Sequence, residues 1–340
     1  MVNVATGTKP PKKRILFLSK GFDAPSTRYR ARMFFPLLEE SGFQVRHIDL
    51  DGNPRQYAIA LLAARQSDVV VVLRKTFGSL FRNLLRRCSR RLIFDFDDAI
   101  FCNSDGTASP TRMARFAAMI PICDHVTAGN DYLAENAKRF NPRVTRLPTC
   151  LDTRRYEISP PKPVEFVDLV WIGSSSTRKY LEHSIPALQM AASRVRNLRL
   201  KIVADFDLPN VGLPTQAITW TSDGEIEALG SAHIGIAPMK DDPWTRGKCA
   251  LKVLQYMAAG LPVISSPAGV NGEIVRPGEN GELAETPMQW CDAITRLAEN
   301  TDLRNRYGMA GQTLAASEYS LPVVFKRLIS VLNAPEGLGA

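Results

Sequence analysis

The run Asp68 to Leu73, reading DVVVVL, narrows most sharply what this chain can fold into. A short, almost unbroken β-branched stretch has no polar face to give to water. It fits a strand covered on both sides, the situation of a parallel sheet between helical layers. The surrounding sequence has the same character. Arg14 to Ser19 reads as a buried first strand and Phe43 to Asp49 as a second, with Arg91 to Phe96, Asp124 to Ala128 and Val144 to Leu147 following. Helical patterns lie between them: one from Ser26 or Thr27 to about Ser41, kinked by Pro36 and closed by Gly42, and one from about Pro54 to Gln66. Asn130 is placed to cap another, to about Arg139. Strand and helix in alternation make an α/β chain.

At 340 residues the chain is too long for one ordinary core, and Ser159-Pro160-Pro161-Lys162-Pro163 is a stiff connector near its middle. The expected division is a Rossmann-like domain over 1–160, a second over 161–316, and a final helix within 317–340. Residues 1–13 read as a basic tail. Six cysteines and four histidines are scattered, so neither a disulfide framework nor a zinc site is expected. Without an apolar signal core or a run long enough to span a bilayer, the expected location is cytoplasmic. The charge is uneven. Residues 1–160 hold 26 Lys and Arg against 15 Asp and Glu, and the remainder 17 against 19. A basic first half has an anionic partner as its natural complement: a membrane surface, a phosphorylated acceptor or nucleic acid. Between Arg74 and Arg91 seven basic residues and no acid are interleaved with Phe77, Leu80, Phe81, Leu84 and Leu85. That pattern suits a helix at the face of an anionic membrane, and equally a surface helix packed on a sheet.

Chemistry concentrates in the second half. From Gly247 to Val275 the chain spells a helix (about Lys248 to Ala259), a glycine stop at Gly260, a short strand and a small-residue turn, Pro267-Ala268-Gly269-Val270-Asn271-Gly272, leading to Glu273. Backbone N–H groups fanned out at such a turn suit a phosphate. Lys248 and Lys252, four apart, fall on one face of the expected helix near its start, where cations are unfavourable unless an anion lies between them and the turn. A second cradle follows the strand Val167 to Ile172: Gly173-Ser174-Ser175-Ser176-Thr177, then a helix from about Arg178. In the first half, Asp95, Asp97 and Asp98 gather at a strand end, where three carboxylates need solvent, hydrogen bonds or cations.

The block K-x-L-Q-Y-M-A-x-G-L-P-V-I-x-S-P-x-G-V-N-x-E-I-V resembles the C-terminal signature of retaining GT-B glycosyltransferases of family 4 (group 1). The resemblance implies two Rossmann-like domains facing each other across a cleft, with a nucleotide-diphosphate sugar held mainly by the second and a hydroxyl acceptor, such as a lipid-linked or cell-envelope glycan, mainly by the first. It assigns Lys179 and Lys252 to the departing diphosphate and Gly173, Ser174, Arg178, Lys248, Gln255, Gly269, Val270, Asn271 and Glu273 to the donor. Two further segments, S-T-R-Y-R and D-F-D-D-A-I-F, resemble a subset of the family and make Arg28, Arg30 and Asp98 candidates for the acceptor and Asp97 a catalytic candidate. Neither a cofactor nor a metal is expected. The family's two glutamates fall at Gly247 and Gln255, and its first arginine at Ser174. These departures keep two alternatives open: a GT-B protein that does not transfer, whether epimerase or binding-only, and a basic nucleic-acid-binding protein.

Overall fold

The computed structural model describes residues 12–157 and 160–334. Most of the basic tail and Ser159 of the connector lie outside the described residues. Two six-stranded sheets, parallel throughout, form the frame. The first contains β1 (Lys13–Ser19), β2 (Phe43–Asp49), β3 (Val69–Leu73), β4 (Leu92–Phe96), β5 (His125–Ala128) and β6 (Val144–Arg146) in the order β2-β1-β3-β4-β5-β6. The second contains β7 (Val167–Ile172), β8 (Leu198–Ala204), β9 (Thr215–Thr219), β10 (Ile234–Ala237), β11 (Val263–Ser265) and β12 (Gly281–Leu283) in the order β12-β11-β10-β7-β8-β9. Every side chain of β3 and β4 is buried, as a sheet covered on both faces requires. In the second sheet the strand order reverses between β7 and β10. Ligands of open α/β sheets bind outside the carboxyl ends of the strands at such a reversal.

Two helices differ from the sequence expectation for a physical reason. The one expected up to Ser41 is divided into Pro25–Arg30, a 3₁₀ turn Arg32–Phe34 and Phe35–Glu40. Pro36 does not kink a continuous helix but opens a new one, in the first turn, where its missing N–H costs nothing. The helix expected from Lys248 starts later, at Leu251–Ala258, because Ala250 takes a left-handed conformation with φ 55°. Lys248 therefore lies off the helix, and the shared face proposed for Lys248 and Lys252 does not exist. β9 gave no signal because it is an edge strand with few buried side chains and a threonine-rich, polar pattern.

The last helix, Leu321–Asn333, packs against the first domain. Val324, Leu328, Val331 and Leu332 share a core with Ile15, Phe17 and Phe34. Arg91 donates to the carbonyls of Val331 and Leu332 at 2.6 and 2.9 Å, a cation at the negative end of that helix.

Candidate active site

Beside the carboxyl end of β7 lies Lys252, on the helix Leu251–Ala258. Gly173 follows β7 directly, and a side chain there would run into the indole of Trp171. The bare backbone lets Trp171 lie flat beneath the loop. Lys252 extends over that ring, its Nζ 4.2 Å from the centroid and 3.3 Å from the Thr177 hydroxyl. Among the described residues no carboxylate pairs with it. Burial, and then the charge of Lys248, lower its pKa from 10.5 to about 7. Gly173, Thr177 and Lys252 thus meet in one place, a cation held by a ring and a hydroxyl and lacking a counter-ion.

Lys179 lies in the first turn of the helix Arg178–Arg194. Its Nζ reaches across to the Ser104 carbonyl of the first domain at 3.3 Å, and it lines a cavity of about 670 Å³ with Asp105, Tyr180, Lys240, Ser266 and Trp290. Arg178 faces elsewhere. It is bonded to Glu182 at 2.7 Å and lies over Phe206, so it does not replace the arginine missing at Ser174. Ser174 caps the following turn, with its N–H bonded to Thr177 and its hydroxyl to Ser176.

Arg30, Asp95, Asp97 and Asp98 of the first domain are already paired. Arg30, a candidate acceptor residue, is buried with Asp95: Nε donates to Oδ2 at 2.9 Å and Nη2 to Oδ1 at 2.5 Å, while Nη1 donates to the Leu147 carbonyl at 2.6 Å. Thr127 donates to the same carboxylate. Buried at 2% exposure and anchored to Asp95 and Leu147, Arg30 is out of reach of an acceptor in the cleft and is a structural residue. Asp98 lies between Arg74 and Lys248, with Lys248 Nζ 2.7 Å from Oδ1, and Asp97 is 3.4 Å from Arg74. Lys248 therefore bridges the domains through Asp98. It also covers the face of Trp244.

Small residues let the two rims interdigitate. A Cβ on Gly247 would lie 2.5 Å from the Ala99 N, one on Gly106 2.8 Å from Asp242, and one on Gly129 against the Cys249 sulfur. Asn130 ties the seam by donating to the carbonyls of Arg246 and Lys248 at 3.0 Å each. The absence of a side chain at Gly247 has a structural cause: the first domain's backbone occupies the space a carboxylate would need.

The glycine turn differs from expectation. The Asn271 N–H is engaged by Ala268 and its side chain turns inward to Ser265. Gly269 has φ 54°, with its backbone against Thr245 and Arg246; Val270 is buried. Glu273 pairs with Arg146 at 3.2 Å. Of the amides of Gly269, Val270 and Asn271, only the first two are free of a backbone partner in the turn. Gln255 is buried and donates to Glu225 and to the Tyr156 hydroxyl. Arg28 reaches across the cleft to lie over Trp220, 5.1 Å from its ring centroid. Glu225, Tyr156 and Trp220 escaped the sequence reading. The T-S-D-G-E stretch marks a helix start, capped by Thr221, but nothing in it marks Glu225 as buried. Among the described residues no group of three His, Cys, Asp or Glu is arranged to hold a metal.

Residues 167–300 match the model of the family "Glycosyl transferases group 1". This match lies within the second domain, and the chain has the GT-B fold. Over 169 residues, 49% of its length, the chain is 25% identical to spore coat protein SA of Bacillus subtilis (strain 168), and this stretch covers 39% of that relative. Its GT-B architecture is similar to that of Anabaena HepE, solved in complex with UDP (TM-score 0.72, 15% identity, 95% of this chain and all of that one). Sucrose-phosphate synthase from Thermosynechococcus elongatus superposes with TM-score 0.75 at 13% identity, over 94% of this chain and 98% of that one. WaaG, a glycosyltransferase of lipopolysaccharide biosynthesis, superposes with TM-score 0.68 at 15% identity, over 94% and 100%.

Proposed function

We propose that the protein transfers a sugar, with retention of anomeric configuration, from a nucleotide-diphosphate sugar to a hydroxyl acceptor. The observation that carries this reading is Lys252, an ammonium over Trp171 beside Gly173 and Thr177 with no counter-ion among the described residues. In the reaction the bond from the anomeric carbon to the β-phosphate oxygen breaks and its electron pair leaves with the diphosphate. The acceptor oxygen bonds to the same face of that carbon, and its proton passes to the departing diphosphate. The first requirement is positive charge fixed where the leaving group develops its own. Lys252 and Lys179 supply it, and no protein nucleophile is required. No metal takes part, the two lysines doing the work a cation would do. The UDP bound in HepE and the lipopolysaccharide role of WaaG support a nucleotide-sugar donor and a glycan or lipid-linked acceptor.

An anionic membrane surface on the cytoplasmic side is the acceptor's proposed setting. Leu62 and Leu80, 62% and 76% exposed, lie on packed neighbouring helices rich in arginine. Much of the basic run from Arg74 to Arg91 has internal partners, however: Arg74 with Asp97 and Asp98, Arg86 with Asp124, Arg90 with Asp68. This pairing counts against the nucleic-acid reading, which needs free cations. The non-transferring alternative keeps one observation in its favour, the packing of Gly247 on Ala99.

The test combines thermal shifts with UDP, GDP, ADP and dTDP, each with and without EDTA, and a transfer assay with the matching labelled sugar. The expected result is stabilisation by one nucleotide, insensitive to EDTA, with transfer that falls by orders of magnitude in Lys179→Ala and Lys252→Ala. Binding without transfer or hydrolysis would favour the non-transferring protein. No shift with any nucleotide would overturn both readings.

A further inference from the structure

A cavity of about 350 Å³ lies at the amino ends of β7, β10 and β11, across the second sheet from Gly173 and Lys252. β7 alone has six residues, so about 20 Å of sheet separates this cavity from the proposed diphosphate site. Three nitrogen-bearing side chains line it: Lys162 of the interdomain connector, His233 just before β10, and Arg304 near the start of the helix Thr301–Glu318. Among the described residues no Asp or Glu lines it. Each of the three is held with donors to spare. Burial, then the charges of Lys162 and Arg304, lower the pKa of His233 to about 4, so its ring is neutral at pH 7. Its Nδ1 accepts from the Asp168 N–H at 3.0 Å, which places the ring proton on Nε2. His233 is only 8% exposed, and its Nε2 has no hydrogen-bond partner among the described residues. Arg304 is fixed by its own helix ends: Nη1 donates to the carbonyls of Leu297 and Ala298 at 2.6 and 2.8 Å, and Nη2 to the Thr301 hydroxyl at 2.8 Å. The guanidinium keeps Nε–H and one Nη2 hydrogen.

Neither Lys162 nor Arg304 pairs with a carboxylate among the described residues, and desolvation and then Arg304 and Lys201 lower the pKa of the Lys162 ammonium. The carboxylate behind the imidazole, Asp168, is already taken by Arg199 at 2.7 Å and Lys201 at 2.9 Å. Asp302, on the same helix as Arg304, is exposed and outside the lining. Two cations and a neutral donor thus converge with nothing negative between them, at the positive end of an 18-residue helix. We propose that this cavity binds a phosphate monoester, its phosphate held between Lys162, Arg304 and the His233 Nε2–H. Phe166 and Pro262 give an apolar wall for the rest of the ligand. Gly260, just past the helix that carries Lys252, also lines the cavity, so a bound ester touches both the link between the domains and the end of that helix. The site stands on its own geometry, independently of the nucleotide-sugar reading.

The experiment is isothermal titration of the full chain with glycerol 3-phosphate, run beside cosedimentation with phosphatidylcholine vesicles containing phosphatidate, which presents the same group on a lipid. The soluble ester is expected to bind the wild type and, because the cleft is not involved, to bind Lys252→Met equally well. Lys162→Met, a change at an exposed side chain, should weaken binding about tenfold, and Lys162→Arg should keep it. Melting temperatures confirm that each variant is folded. Vesicle binding that Lys162→Met weakens, without binding of the soluble ester, would support the site with a lipid as the source of the phosphate. No binding of either probe, affinities unchanged in Lys162→Met, or binding lost in Lys252→Met and kept in Lys162→Met would overturn the inference.

Discussion

The two rims of the cleft use their charged side chains in opposite ways. On the first domain, Arg30 and Asp95 neutralise each other in the core, and Arg74 pairs with Asp97 and Asp98. On the second, Lys252 has only a ring and a hydroxyl for company, and Lys179 a backbone carbonyl and a cavity. The difference teaches where to look for function among many charges. A paired charge in this molecule maintains the fold, whereas an unpaired cation, kept against the cost of desolvation, marks the place for an anion.

Disrupting one group of each kind should have opposite effects on stability and activity. Arg30→Met strands the Asp95 carboxylate in the core and should destabilise by about 3–5 kcal/mol in a denaturant titration. Lys252→Met should lower transfer by about two to three orders of magnitude while leaving stability unchanged or higher. Its effect also has a predicted pH signature. A lysine lowered from 10.5 to about 7 binds fewer protons folded than unfolded between those values, so wild-type stability should rise from pH 7 towards 10. Melting temperatures across that window should rise less in Lys252→Met, because the variant lacks the titrating group. A smaller effect is expected at the seam. Gly247→Ser places its Cβ against the Ala99 backbone and should destabilise by about 1–3 kcal/mol, read by chemical denaturation. Asp98→Asn, which removes the charge of a buried carboxylate held between Arg74 and Lys248, should also destabilise by about 1–3 kcal/mol, read in the same way.

Much of the fold was legible because its signals are local. The β-branched run of β3 and the strand Val167–Ile172 have strong apolar patterns, and Asn130 does cap its helix, accepting from the Leu133 N–H. The site was legible in part. Gly173 could be singled out as a small residue directly after a strand, and Lys252 as a cation near the start of an expected helix, where a positive charge is unfavourable. What they touch could not. Arg30 and Arg28 look alike in S-T-R-Y-R, yet one enters the core and the other crosses the cleft, since the direction of each depends on where the helix begins and what the opposite domain offers. The Lys248 misreading came from Ala250, a non-glycine residue in a left-handed conformation that no local propensity announces. Glu225 was hidden because its partners lie at positions 156, 220 and 255, and burial of a carboxylate is decided by tertiary packing.

The most direct test of the central claim, that Lys252 awaits a phosphate, is the number of protons taken up when UDP binds. At pH 8 a lysine with a pKa near 7 is mostly neutral, and a diphosphate beside it would restore its charge. Titration calorimetry in two buffers of different ionisation enthalpy should show uptake approaching one proton per UDP in the wild type and none in Lys252→Met. UDP binding with no proton uptake, or with uptake unchanged in Lys252→Met, would contradict the account.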